Sequence, residues 1–255
     1  MNRQKPQVVA PVLTPVDRAF EPDPVRLTMH IESLLRDGCH GIALFGTTGE
    51  ASSLSVPQRK TCLDRILERG IDARSLFVGV GCVALADTVE LGRHAAERGC
   101  RKLLVLPPFY YKDITDEDLI LWYSEVVNQI GFDDICLYLY HFPSMTGVQI
   151  TDRIIDGLLT IFPQNIVGIK DSSGDISNTE KWILHYPELQ IFPGSERNLL
   201  RLLEIGAAGV ISAVANINAS PMRRLVEEFS KKEINHEDLQ NHITQVREIF
   251  EMVSM

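Results

Sequence analysis

The sequence predicts an α/β protein folded as a (β/α)8 TIM barrel with at least one extra C-terminal helix, and three observations carry that expectation. Strand-length apolar runs alternate with helical periodicities along the whole chain, and the alternation occurs eight times. The runs are continuously apolar, as strands buried on both faces are, and strict βα alternation requires crossovers in a parallel sheet. The 255 residues are the usual size for eight such units in one domain. A doubly wound open sheet is the runner-up, but it more often uses about five to seven strands.

Taken in order, residues 8–16 (VVAPVLTPV) form a β-rich first strand that Pro11 and Pro15 restrict. Residues 24–37 place Leu27, Ile31, Leu34 and Leu35 at helical spacing, closed by Gly38. The strand at 41–46 (GIALFG) leads through a polar turn to a helix at 55–68, with Pro57 in its first turn and Gly70 beyond its end. The pattern then repeats with strands at 76–81, 102–106, 135–142, 166–170, 189–192 and 209–212. Helices follow them at 84–98, 116–130, 151–159, 178–185, 198–205 and 221–232. Residues 1–235 thus read as the barrel, and 236–255 as an amphipathic helical extension.

A net charge of -9 and a pI near 5.3 argue against a nucleic-acid partner, whose phosphates would be repelled. No run approaches the roughly 20 apolar residues of a membrane span, and the first residues hold no sustained apolar core of a leader. Five scattered cysteines without a CxxC pair read as reduced thiols, which fits a cytoplasmic protein. The expected partner is a small molecule or another protein chain.

In such a barrel the polar residues that follow the strands gather on one face. These are Thr47, Thr48 and Glu50; Tyr110 and Tyr111; Tyr140; Lys170; Ser195, Glu196 and Arg197; and Ser212. Lys170 ends the apolar run IVGIK. Desolvation disfavours an ammonium, so a lysine placed there is a candidate nucleophilic amine able to form a Schiff base with a ketone. A lysine that merely marks the end of a strand is the plainer alternative. The GTTGE turn offers hydroxyls and backbone N–H groups that can hold a carboxylate, or else is a plain glycine turn before a helix. Tyr140, on the strand beside that of Lys170, can pass protons if a group such as Thr48 holds its phenol in line; as a core aromatic it would do nothing.

Other signals are weaker. GVGCVA at 79–84 fits a dinucleotide fingerprint, but no acidic residue stands about 20 positions later to take a ribose. The histidines show neither HxH nor HExxH, which disfavours a metal-dependent aldolase. GAAGVISAVAN at 206–216 could cradle a phosphate, as many barrels do near strands seven and eight.

The motifs GTTGE at 46–50, LPPFYY at 106–111, YHFPSMTG at 140–147, GIKDSSGD at 168–175 and GVISAVAN at 209–216 together resemble the dihydrodipicolinate synthase and N-acetylneuraminate lyase superfamily. The resemblance covers nearly the whole chain in order. It implies a barrel whose lysine forms a Schiff base with pyruvate or another 2-oxo acid, with no metal and no organic cofactor. Position by position, Lys170 matches the Schiff-base lysine and Tyr140 the proton-relay tyrosine. Thr47 and Thr48 match the carboxylate-binding pair, with Thr48 also linking the relay. Tyr110 matches a second relay tyrosine supplied by a neighbouring subunit, and Ile211 a residue whose backbone meets the keto acid. The resemblance further implies a homotetramer built as a dimer of dimers.

One departure bears on the substrate. Where dihydrodipicolinate synthases read YNVPSRTG, this chain has Met145 in place of the arginine that receives the aldehyde's carboxylate. The loop GSERN at 194–198 lines up with the polyol-contacting loop of the neuraminate lyases, with Gly194 at its start, Glu196 for hydroxyls and Arg197 for an anion. The expectation is a lyase that joins pyruvate to an aldehyde, or cleaves the product, on a hydroxylated 2-oxo acid such as a 2-keto-3-deoxy sugar acid or 4-hydroxy-2-oxoglutarate. The rivals are a dihydrodipicolinate synthase proper and a non-catalytic 2-oxo-acid-binding barrel.

Overall fold

The structure, a computed structural model, describes residues 5–231 and 235–252. Eight parallel strands run in the order β7-β6-β5-β4-β3-β2-β1-β8. They are β1 (Gln7–Pro11), β2 (Gly41–Leu44), β3 (Leu76–Gly79), β4 (Lys102–Val105), β5 (Cys136–His141), β6 (Ile166–Asp171), β7 (Gln190–Pro193) and β8 (Gly209–Ile211). The ring nearly closes between β7 and β8, where the Ala208 N–H donates to the Ile191 carbonyl at 2.9 Å.

Alternation along each strand sorts the side chains into two cores. Val9, Ala43, Phe77, Leu104, Tyr138, Phe192 and Ile211 fill the barrel interior. Their neighbours, such as Val8, Ala10, Ile42 and Leu44, point outward into the larger core beneath the helices. The inner filling is aromatic at its centre: the ring centroids of Phe77 and Tyr138 lie 5.1 Å apart, and those of Phe77 and Phe192 lie 6.0 Å apart. Gly168 makes room for this cluster, since a Cβ there would lie 2.7 Å from the Tyr138 ring and 2.4 Å from the Gln190 carbonyl oxygen.

The helices start where short polar side chains can accept the free N–H groups of a first turn. Asp23 caps α1 (Pro24–Arg36), and a Ser55–Gln58 capping box opens α2 (Val56–Glu68). After α3 (Leu85–Glu97), Thr115 caps α4 (Asp116–Ile130), which ends on left-handed Gly131. A short α5 (Pro143–Thr146) directly follows β5, closed by Gly147 at φ 65°. The remaining helices are α6 (Asp152–Ile161), α7 (Ile176–His185), α8 (Leu199–Ile205), α9 (Ala215–Glu228) and α10 (His236–Glu251). Among the described residues no helix is long and apolar enough to cross a membrane.

Several limits differ from the sequence reading. The first strand stops at Pro11, and beyond it the chain makes an isolated bridge between Val16 and Pro22. The helix expected over 221–232 begins at Ala215 and absorbs Pro221 through a break at Asn218 (φ −139°, ψ 35°), which relieves the clash proline imposes on a preceding turn. The end of that expected helix, at residue 232, lies outside the described residues, as do the last three residues of the extension at 236–255. The glycines of GVGCVA serve packing: a Cβ on Gly79 would lie 2.2 Å from the Phe45 carbonyl oxygen, and one on Gly81 would lie 2.5 Å from the Leu106 nitrogen.

Candidate active site

The register of β5 against β6 pairs Tyr140 with Lys170, and that of β6 against β7 pairs Lys170 with Phe192. Phe192 belongs to the barrel's interior filling, as does Tyr138 two residues before Tyr140, so Tyr140 and Lys170 share the inward face at the strands' C-terminal ends. Lys170 is buried at 4% exposure, and its Nζ lies 4.1 Å from the centroid of the Tyr140 ring. The Tyr140 hydroxyl lies 3.3 Å from Thr47 Oγ1. Burial pushes this phenol up, but the charge of Lys170 and hydrogen bonds with Thr47, Lys170 and Ser172 outweigh it and hold Tyr140 below the ordinary tyrosine value.

Thr47 reaches Tyr140 because of the backbone that follows β2. Phe45 takes a left-handed conformation at φ 55°, and its carbonyl packs over Gly79. The chain then turns tightly, with the Glu50 N–H donating to the Thr47 carbonyl at 3.0 Å and Thr14 Oγ1 donating to the Gly49 carbonyl at 2.7 Å. In this turn Thr47 is the first residue and Thr48 the corner, which is why the expected link from Thr48 to Tyr140 is made by Thr47 instead. No hydrogen bond among the described residues uses the backbone N–H of Thr47 or Thr48.

A cavity of about 250 Å³ opens beside this pair. Thr47, Tyr140 and Met145 line it, as do Phe45, Leu104, Leu106 and Phe109, with Glu50, Ser52 and Ser53 on the GTTGE side. Met145 sits on α5 and is 61% exposed. Lys112 bridges the loop after β4 to α5 by donating to the Phe109 carbonyl and, at 2.8 Å, to that of Thr146.

The loop after β7 is held by α10. Glu196 and Arg197, which the sequence reading set toward hydroxyls and an anion, do not line this cavity, and neither does Lys170. Glu196 is fully buried, accepts a hydrogen bond from Ser212 Oγ, and has Arg247 at 3.8 Å. Burial raises its carboxyl above the ordinary range, against the pull of Ser212 and Arg247. Arg197 turns to α10, where it pairs with Glu248 and Glu251. Gln240 of α10 pins the loop backbone by donating to the carbonyls of Glu196 and Arg197 at 2.9 and 3.0 Å. Gly194 is the close approach of β7 to β6: its N–H donates to the Asp171 carbonyl at 2.6 Å, and a Cβ would lie 2.4 Å from Ser172 Oγ. Ile211 is buried in the barrel interior at the end of β8. Tyr110 stands 70% exposed, edge-on to Tyr111 at 5.2 Å.

Sequence reasoning missed Ser172, Phe109, Ser52 and Ser53. The motif GIKDSSGD contained Ser172, and LPPFYY contained Phe109, but nothing in either spacing singled them out.

A buried lysine facing a tyrosine over the C-terminal mouth of a (β/α)8 barrel is the arrangement of a class I aldolase. The chain matches the dihydrodipicolinate synthetase family over residues 4–253 and belongs to it, a family of lyases that work as pyruvate-dependent class I aldolases. An uncharacterized DapA-like lyase of Chloroflexus aurantiacus is 40% identical over 224 residues, 87% of this chain and 74% of that protein. The 4-hydroxy-tetrahydrodipicolinate synthase of Thermus thermophilus is 32% identical over 209 residues, 82% of this chain and 68% of that one. The crystal structure of dihydrodipicolinate synthase from Agrobacterium tumefaciens superimposes with a TM-score of 0.86 at 30% identity, over 96% of this chain and 83% of that chain.

Proposed function

We propose that this lyase makes or cleaves a hydroxylated 2-oxo acid through a Schiff base between Lys170 and pyruvate. The observation that carries the reading is the buried Lys170 Nζ at 4.1 Å from the Tyr140 ring, with the phenol in turn on Thr47.

In the synthetic direction the Lys170 amine attacks the keto carbon of pyruvate to give a carbinolamine. Tyr140 delivers a proton to the departing hydroxyl, water leaves, and an iminium remains. The iminium draws electrons from the methyl carbon, which loses a proton to give the enamine. The enamine carbon attacks the aldehyde carbon, and the aldehyde oxygen takes up a proton to become a hydroxyl. Water then adds to the product iminium, releasing a 4-hydroxy-2-oxo acid and restoring the amine. Cleavage is the reverse. The free N–H groups of Thr47 and Thr48 support a seat for the pyruvate carboxylate, and the end of β8 at Ile211 brings backbone to the same mouth.

Met145 on the cavity wall supports a substrate other than that of a dihydrodipicolinate synthase, because an aldehyde bearing a carboxylate would lack a bidentate partner there. The exposed Tyr110 and Tyr111 support an assembly in which a second copy covers them, within a homotetramer, and sedimentation of the protein against a Tyr110→Ala variant tests that part. Five unpaired thiols suit a reducing, cytoplasmic setting.

Steady-state assays of pyruvate release from 4-hydroxy-2-oxo acids, beside condensation of pyruvate with aspartate semialdehyde, test the reading. Cleavage of the former that disappears in Lys170→Ala is expected. Efficient condensation of the semialdehyde with no cleavage of the others would contradict it.

A further inference from the structure

Arg59 follows directly on the Ser55–Gln58 capping box that fixes the start of α2, and no step of the reaction above uses it. It is 3% exposed, and its Nε is buried with no hydrogen-bond partner among the described residues. Taking a guanidinium out of water is costly unless its donors are put to use. Two of them reach the end of β3: Nη2 donates to the Gly79 carbonyl, and Nη1 donates to Cys82 Sγ at 3.3 Å. Cys82 is itself held, its N–H donating to Thr88 Oγ1 of α3 at 3.0 Å. The guanidinium carbon also lies 5.7 Å from the centroid of the Phe45 ring. A planar fork that spans two acceptors and covers a ring is a role for arginine and not for lysine.

Phe45 needs such a hold. Its left-handed backbone, at φ 55°, costs free energy in a residue with a side chain and persists only where the surroundings impose it. Arg59 takes part in two contacts that impose it. The Phe45 ring is buried under the guanidinium, and the Phe45 carbonyl packs over Gly79, whose own carbonyl Arg59 binds. From Phe45 the chain turns so that Thr47 Oγ1 comes to 3.3 Å from the Tyr140 hydroxyl.

We propose that Arg59 is a positioning residue for the reaction: by clamping Phe45 and Gly79 it sets the turn after β2, and with it the hydrogen bond between Thr47 and the Tyr140 phenol. The proposal rests on the Schiff-base reading above, in which Tyr140 moves the proton. Without the clamp the Phe45 backbone relaxes toward an ordinary conformation, and Thr47 withdraws from the phenol.

The test compares wild type, Arg59→Met, Thr47→Val and the double variant, with circular dichroism to report the fold and borohydride trapping of pyruvate on Lys170 run on each. Arg59→Met keeps an apolar stem and removes the fork. It is expected to lose about tenfold to a hundredfold in kcat, within what a misplacement of about 1 Å costs. Ultraviolet difference titration against the matching Tyr140→Phe variants is expected to show the Tyr140 midpoint moved up, as in Thr47→Val. In the double variant both effects are expected to equal those of Thr47→Val alone, because the clamp acts through Thr47. A guanidinium that acted on the phenol by its charge would instead add to the Thr47→Val shift. Arg59→Lys, which keeps the charge but not the fork, is expected to behave as Arg59→Met does, and it carries the same comparison if Arg59→Met does not fold. Trapping in wild type together with an unmoved midpoint in the folded variants, full turnover in Arg59→Lys, or losses that multiply with those of Thr47→Val would overturn this inference and leave the Schiff base standing. Absence of trapping in wild type would overturn both.

Discussion

Tyr140 and Lys170 face each other across the β5–β6 ladder as register partners, with the lysine Nζ 4.1 Å from the centre of the phenol ring. Because the pairing is set by strand register, a one-residue slip of β6 against β5 would turn Lys170 to the outer face while Tyr140 stayed inward. The barrel therefore fixes the pair as a unit, and the turn after β2 adds Thr47 to it.

Removing the phenol should separate binding from turnover. Tyr140→Phe is expected to keep the fold and the capacity to bind pyruvate while losing about 10²–10⁴-fold in kcat, the usual worth of a positioned acid–base group. Thr47→Val should lose a smaller part of the same effect, and the double variant should fall short of the product of the two losses because the residues act together. Thr48→Val should lose less than Thr47→Val. Kinetics of the four variants check this, and a Thr48 effect larger than that of Thr47 would contradict the geometry.

The pH dependence follows from what surrounds the phenol. Tyr140 is held below the ordinary value of 10.0, so its phenolate forms at lower pH than that of a free tyrosine. Thr47→Val removes one hydrogen bond that favours the phenolate, and the titration should move up. Ultraviolet difference titration of wild type minus Tyr140→Phe isolates the group. A midpoint that stays put or falls in Thr47→Val would show that Thr47 does not support the phenolate.

Glu196 offers a stability test. Burial raises its folded value above the ordinary 4.5. An acid so raised binds its proton more tightly in the folded chain, so its contribution is fully present below the unfolded value and is lost as pH rises through the folded one. Glu196→Gln keeps an acceptor for Ser212 and cannot ionise, so its Tm advantage over wild type should grow with pH across that window. Arg247 keeps its partner Glu251, at 2.7 Å, in the variant. An advantage that shrinks with rising pH would mean that Arg247 and Ser212 outweigh burial at this carboxylate.

The alternation of apolar runs and helical spacings was enough to place the eight strands and Lys170 at the end of the sixth, because each of those features is local. The start of α2 was legible from Pro57 in its first turn, whereas α7 begins two residues before the expected 178 because Asp175 caps it. The short helix Pro143–Thr146 was not, since four residues carry no periodicity. Within the site, the choice between Thr47 and Thr48 depended on the left-handed Phe45, a conformation that no propensity assigns to phenylalanine. The fate of Glu196 and Arg197 depended on Arg247, Glu248 and Glu251, some fifty residues away on α10, and no spacing within the loop could reveal those partners.

The central claim is that Lys170 is the nucleophile. Incubation of the protein with pyruvate and borohydride, followed by peptide mass spectrometry, reads it directly. The expected result is a reduced pyruvate adduct on the peptide containing Lys170 and on no other, with activity lost in proportion to labelling. An active enzyme whose Lys170 stays unmodified under those conditions, or an adduct that forms on another lysine and inactivates, would contradict the account.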